Sequence, residues 1–156
     1  MAHAFSILPE YLITPEGGAA TNLLDLGPAR GRRFRALKLW MTLRYFGREG
    51  IAARIREHCR LARLFAGWVD ETPGWERLAP VPFSTVVFRF APAGAGDADR
   101  QNERILERVN ATGEAFLSHT RVRGGFALRL AVGNLRTTEP NVRRAWRLLQ
   151  EASANM

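Results

Sequence analysis

Cysteine is almost absent from this chain of 156 residues: Cys59 stands alone. That excludes an intramolecular disulfide and a cysteine cluster for zinc. Lysine is equally scarce, since of the 23 basic residues only Lys38 is a lysine and the other 22 are arginines. Any chemistry that needs a Schiff-base amine can draw on that residue alone. The three histidines, His3, His58 and His119, are dispersed and show no paired ligand spacing such as HxxxH, so no metal site is expected. There is no GxxxxGK[ST], no GxSxG and no GxGxxG preceded by a strand. Apolar runs fall far short of the roughly 20 residues that a membrane helix requires, and no transmembrane span is predicted. The opening MAHAFSILPEYL has neither the basic start nor the apolar stretch of a secretory signal, which predicts a cytoplasmic location and leaves the Asn110-Ala-Thr112 sequon without meaning.

What is present is the composition of one globular domain, 46% apolar and 24% charged. The formal charge of +8 raises nucleic acid or phosphate as a partner. An arginine-rich, nearly lysine-free chain is also what biased coding produces, so a basic nucleic-acid-binding domain is the weakest reading of this charge.

The organisation changes three times. Residues 1–30, with Pro9, Pro15, Gly17, Gly18, Gly27 and Pro28, predict an irregular arm. Residues 31–72 predict two connecting helices. In the first, Gly31 to Phe46, the apolar side chains Phe34, Leu37, Leu39, Trp40, Met41, Leu43, Tyr45 and Phe46 point nearly all round the axis, the pattern of a helix covered on several sides. Gly47 and Gly50 interrupt it. The second, about Arg48 to Val69, is amphipathic through Ile51, Ile55, Cys59, Ala62, Phe65 and Val69.

Residues 73–156 predict a small α+β domain. Trp75 to Leu78 and Phe83 to Phe90 read as strands. Asp97 or Asp99 caps a helix running to about Val109. Ala115 to Val122 and Gly125 to Val132 form two strands around a tight turn at Arg123 and Gly124. The last helix opens at Thr137 or Thr138 with Pro140 in its first turn. The expected fold class is therefore α+β, a small antiparallel sheet covered by helices on one face, preceded by an irregular arm and two long helices.

Few residues offer chemistry. Arg30, Arg32, Arg33 and Arg35 crowd a helix start, where the dipole disfavours cations, so either an anion lies nearby or they reach solvent or pair with Asp25 and Glu49. On the strand from Gly125, strict alternation sets Phe126, Leu128, Leu130 and Val132 on one face and Ala127, Arg129 and Ala131 on the other. An arginine between two alanines lies on a flat, open surface and can offer its fork to a carboxylate or phosphate, unless it pairs with a structural acid. His58 and Cys59 are neighbours on a helix and diverge by about 100°, so they do not form a nucleophile and base. His119, in LSHTRV, is either an acid–base or ring-stacking group or an ordinary strand histidine.

GRRFRALKLWMTLRYFGREGIAARIREH, Gly31 to His58, resembles the helical stretch that begins the carboxy-terminal region of the group II pyridoxal-phosphate-dependent decarboxylases, the aromatic-L-amino-acid decarboxylase family. AFSILPEYL at Ala4 to Leu12 is similar to the piece after that family's cofactor-lysine segment. VVFRF at Val86 to Phe90 matches a small-domain strand, and FALRLAVGNLRTTEPNVRRAW at Phe126 to Trp146 matches the last strand and helix. The resemblance spans essentially the whole chain but only the last third of a family member.

It implies the carboxy-terminal small domain of a fold-type-I enzyme. The function implied is that of a segment of a carboxy-lyase for an aromatic or related amino acid, in which the cofactor ring draws off electrons as the carboxylate leaves. The implied cofactor is pyridoxal phosphate in the complete enzyme, with none held by this chain alone. The family's cofactor lysine follows a histidine upstream of AFSILPEYL, and Lys38, preceded by Leu37, does not match it. The implied partners are a large cofactor domain, a second subunit in a homodimer and an amino-acid substrate, with no membrane. Arg129 matches the arginine of the family's active-site strand and becomes a candidate substrate-binding residue. TNLLDLGPARG aligns with the family's catalytic loop, where Leu23 takes the position of a tyrosine that gives a proton to the substrate carbon after carbon dioxide leaves. Tyr11 precedes that loop and is the less favoured substitute; another acid such as His119, or water, is the alternative. The competing reading is a noncatalytic homologue that acts as an interaction or dimerisation module.

Overall fold

A computed structural model of the protein describes residues 35–94 and 96–154. Leu23, Tyr11, Phe34 and the basic run Arg30, Arg32 and Arg33 lie outside the described residues, as does the side chain of Arg35. The chain divides into two compact units, Met1–Ile51 and Ala52–Met156.

In the first unit, residues 35–51 belong to helix α1 (Arg35–Glu71). The two predicted helices follow each other directly, separated by a break at Gly47, whose φ of 64° and ψ of 175° are not helical. A side chain there would be strained, which is why the chain uses glycine at this position. Gly50, also expected to interrupt, is helical. Leu37, Leu39, Trp40, Met41, Leu43 and Tyr45 are exposed, Trp40 to 58% and Tyr45 to 83%. Isolated monomers rarely leave a contiguous apolar patch of more than a few hundred Å² uncovered. The isolated chain is therefore expected to self-associate, and a cleanly monomeric profile in light scattering at high concentration would refute this.

The second unit holds the rest of α1 and the elements β1 (Trp75–Arg77), β2 (Thr85–Phe90), α2 (Ala98–Ala111), β3 (Ser118–Val122), β4 (Gly125–Ala131) and α3 (Glu139–Ala154). The four strands form one antiparallel sheet in the order β1-β2-β4-β3. Strands β3 and β4 join through Arg123 (φ 52°) and Gly124 (φ 85°), two left-handed residues as a type I′ hairpin requires.

Alternation decides the layers. Val86, Phe88, Phe126, Leu128 and Leu130 turn to one face of the sheet and pack in a single core with Leu61, Phe65 and Val69 of α1, Ile105 and Val109 of α2, and Val142, Trp146 and Leu149 of α3. Phe65 is its hub, with ring centroids 5.0 Å from Phe88 and 5.3 Å from Trp146. Edge-to-face contacts of this kind add to the burial of the rings themselves. Cys59 is buried and His58 half-buried, with no hydrogen bond between them.

Helix α2 is stitched to the sheet by polar side chains. Asn102 is completely buried; its Oδ1 accepts from the Phe90 N–H at 2.8 Å, and its amide donates to the Phe90 and Ala98 carbonyls at 2.7 and 2.8 Å. Two turns on, Asn110 makes the same pair of bonds to the Leu117 backbone at 2.9 and 3.0 Å. That amide is thereby engaged within the fold. The helix opens on Asp97, which accepts from the Arg100 N–H at 3.1 Å. In α3 the Thr138 carbonyl accepts the first helical bonds, while Asn141 returns its Oδ1 to the Thr138 N–H at 2.9 Å, a reciprocal cap.

Much of the positive charge at this surface is answered locally. Arg144 grips Glu114 with two bonds of 2.7 and 2.8 Å, Arg143 bonds Glu139 at 2.7 Å, and Arg60 bonds both Glu57 and Glu139. These guanidinium hydrogen bonds hold the Glu57, Glu114 and Glu139 carboxyls below the usual glutamate value. Among the described residues no helix is long and apolar enough to cross a membrane.

Candidate functional site

The face of the sheet turned away from the helices carries the candidate site. Two rows cross it. In one, Arg129 of β4 is the register partner of Val87 on β2 and of Ser118 on β3. In the next, Glu76 of β1 pairs with Arg89 of β2, and Ala127 of β4 with Thr120 of β3. Of the two alanines that flank Arg129, Ala131 is exposed but Ala127 is completely buried, so the surface expected to be open around the arginine is covered on one side.

Arg129 is half-buried and donates to the Ser118 hydroxyl at 3.2 Å. The arginine's five N–H donors form a planar fork that matches a carboxylate or phosphate. Arg89, the second cation of this face, is bound to the carboxylate of Glu76. Arg89 is the arginine of VVFRF, and strand alternation, with Val86 and Phe88 facing the core, is the sequence signal that places it here. Ser118 is identified only through its register with Arg129.

His119 does not join this group. Its register partner is Leu128, a core-facing residue, so it sits on the opposite side of the sheet from Arg129. There its imidazole stacks on Phe126 with centroids 5.0 Å apart and planes 6° from parallel. The period-2 geometry of β3 thus separates the two residues that the sequence offers as substrate-binding candidates. Leu23 and the cluster Arg30, Arg32 and Arg33 lie outside the described residues.

The described residues do not fit a holder of pyridoxal phosphate. That cofactor's aldehyde carbon needs a lysine amine, and the single lysine, Lys38, is an exposed residue of α1 among exposed apolar neighbours. Among the described residues no group of three or more His, Cys, Asp or Glu stands ready for a metal ion.

Comparison with known proteins gives this arrangement its context. The pyridoxal-dependent decarboxylase conserved domain matches residues 1–91. The chain is 43% identical to tyrosine decarboxylase 2 of Arabidopsis thaliana over 148 residues, which covers 92% of the chain and 27% of the relative. It is 37% identical to phenylacetaldehyde synthase of the same plant, covering 97% of the chain and 32% of the relative. Among solved structures, the Oryza sativa TDC with PLP and tryptamine superposes on 99% of the chain with a TM-score of 0.73 and 36% identity, using 33% of its own length. The chain thus spans about a third or less of the proteins it resembles.

Proposed function

The chain belongs to the pyridoxal-dependent decarboxylase family, and from that premise we propose that it is the carboxy-terminal segment of an amino-acid carboxy-lyase, inactive by itself. In this reading the arm 1–30 carries a catalytic-loop segment, residues 31–72 connect, and 73–156 form the small domain of a cytoplasmic homodimeric enzyme. The substrate is an aromatic or related amino acid. The rest of the protein holds pyridoxal phosphate, and this chain's contribution is the wall that orients the substrate.

The observation that carries the proposal is the place of Arg129, a half-buried guanidinium on the sheet face opposite the helices with the Ser118 hydroxyl among its partners. Its role is to bind the substrate carboxylate or to support the wall beside it. Hydrogen bonds to a charged group are worth about 1.5–3 kcal/mol. In a protein completed with a cofactor domain, Arg129→Ala is therefore expected to lower kcat/KM by roughly 10- to 100-fold. Binding of an amine analogue without a carboxylate should be unchanged. Equal losses for both ligands would mean that Arg129 serves the fold and not recognition.

The isolated chain is expected to release no carbon dioxide from any amino acid and to give no visible aldimine band with pyridoxal phosphate. A band that disappears in Lys38→Ala would overturn this. If activity does not appear even after a cofactor domain is attached, the noncatalytic interaction module is the correct reading. The names of the relatives include both decarboxylases and an aldehyde synthase, so the product of the completed protein, amine or aldehyde, is assigned in our proposal by Leu23 rather than by family membership.

A further inference from the structure

On the helical side of the sheet, away from Arg129, the second unit has a cleft of about 370 Å³ lined by Trp68, Glu71, Thr72, Arg143, Trp146 and Arg147. This falls in the lower part of the roughly 300–1,000 Å³ typical of small-molecule sites. Its floor is aromatic and fixed. Trp146 is buried, 5.3 Å from Phe65 and 5.2 Å from Trp75 between ring centroids. Trp68 is half-buried, and the Arg143 guanidinium lies 4.7 Å from its ring centroid.

The polar groups at the rim differ in how far they are already used. The Thr72 hydroxyl donates to the Trp68 carbonyl at 2.7 Å, and Arg143 is bonded to Glu139 at 2.7 Å. Glu71 at the end of α1 and Arg147 on α3 are different. Both are exposed, and neither makes an ion pair or hydrogen bond with any described residue. Glu71 and Arg147 thus put opposite charges on the rim of one cleft, one for each pole of a zwitterion. A ligand with an ammonium, a carboxylate and a ring meets all three features at once, because indole faces favour aromatic partners and the Arg147 fork favours a carboxylate.

We propose that this cleft binds a free aromatic α-amino acid, with Arg147 on the carboxylate, Glu71 on the ammonium and the ring against Trp68 and Trp146. The sheet stands between it and Arg129, so it is a second site and does not depend on the catalytic reading above.

The test is a titration of the full chain with L-phenylalanine, whose ring adds no indole emission, read by tryptophan fluorescence. A saturable change is expected, weakened about three- to fivefold by Arg147→Gln and by Glu71→Gln, the scale of a single exposed ion pair. Arg129→Ala should leave it unchanged. Phenethylamine and 3-phenylpropionate, each with one pole, should bind more weakly than phenylalanine, and L-alanine should give no signal. No saturable change, or affinity retained in both rim variants, overturns the proposal. Loss of the signal in Arg129→Ala assigns the binding to the sheet face and overturns it as well. Because both rim residues are exposed, the variants are expected to keep the wild-type circular dichroism spectrum.

Discussion

In a protein completed with a cofactor domain, Leu23→Tyr is expected to raise amine production by at least about tenfold, within the 10²–10⁴-fold that a positioned general acid contributes. Making the amine requires that the carbon which has lost carbon dioxide receives a proton. The leucine side chain has none to give. In the proposed reading, TNLLDLGPARG corresponds to the family's catalytic loop and Leu23 stands where a tyrosine hydroxyl would supply it. On that proposal, water or another group would have to act, and the completed protein would be open to a different outcome such as oxidative deamination or transamination. His119 is a poor replacement, because it stacks on Phe126 across the sheet from Arg129. Amine and aldehyde should be quantified together in air for both variants. A rise of amine at the expense of aldehyde supports the assignment; an unchanged amine rate shows that Leu23 does not stand at the proton-donor position. Leu23→Phe separates size from acidity, since a ring without a hydroxyl is expected to leave amine production low.

Asn102→Leu is expected to destabilise the second unit by about 2–5 kcal/mol, following from about 1–3 kcal/mol for each buried backbone group left without a partner. The reason lies in the sheet itself. The β2–β4 ladder ends at Phe88 and Leu128; continued, its next hydrogen-bonded pair would be Phe90 and Phe126. The strands do not make that pair. Asn102 takes both the N–H and the carbonyl of Phe90, while the Asp99 carboxylate accepts from the Phe126 N–H at 2.8 Å. Side chains of α2 thus replace the missing rung, and a leucine, with the same branching but no polar atoms, can replace neither bond. Urea unfolding followed by circular dichroism measures the effect. A loss below about 1 kcal/mol, the scale of one ordinary hydrogen bond, would mean that the strands close the gap themselves. Asn110→Leu, at a half-buried position with two such bonds, is expected to cost less.

Local rules determined a good part of this protein from sequence. The alternation of FALRL placed Arg129 opposite Phe126, Leu128 and Leu130, because side chains in a strand can point only two ways. The Arg123-Gly124 turn followed from backbone preferences that one or two residues settle, whereas the choice of Asp97 over Asp99 as cap and of Gly47 over Gly50 as the break was made by the structure. The family was legible in contiguous motifs such as RRFRALKLW, and the single lysine limited what chemistry the chain could host. Other features needed the tertiary structure. Which strands are neighbours decided that Ser118 holds Arg129, and strand register, not proximity in sequence, sent His119 to the far face. Asn102 reads as an ordinary polar helix residue until β2 and β4 part beside it. Glu71 and Arg147, 76 positions apart in the chain, share a cleft only because Phe65 of α1 and Trp146 of α3 meet in the core. Periodicity reports on the nearest few residues, whereas a register or a shared cleft depends on contacts between distant segments, and those are chosen by packing of the whole core.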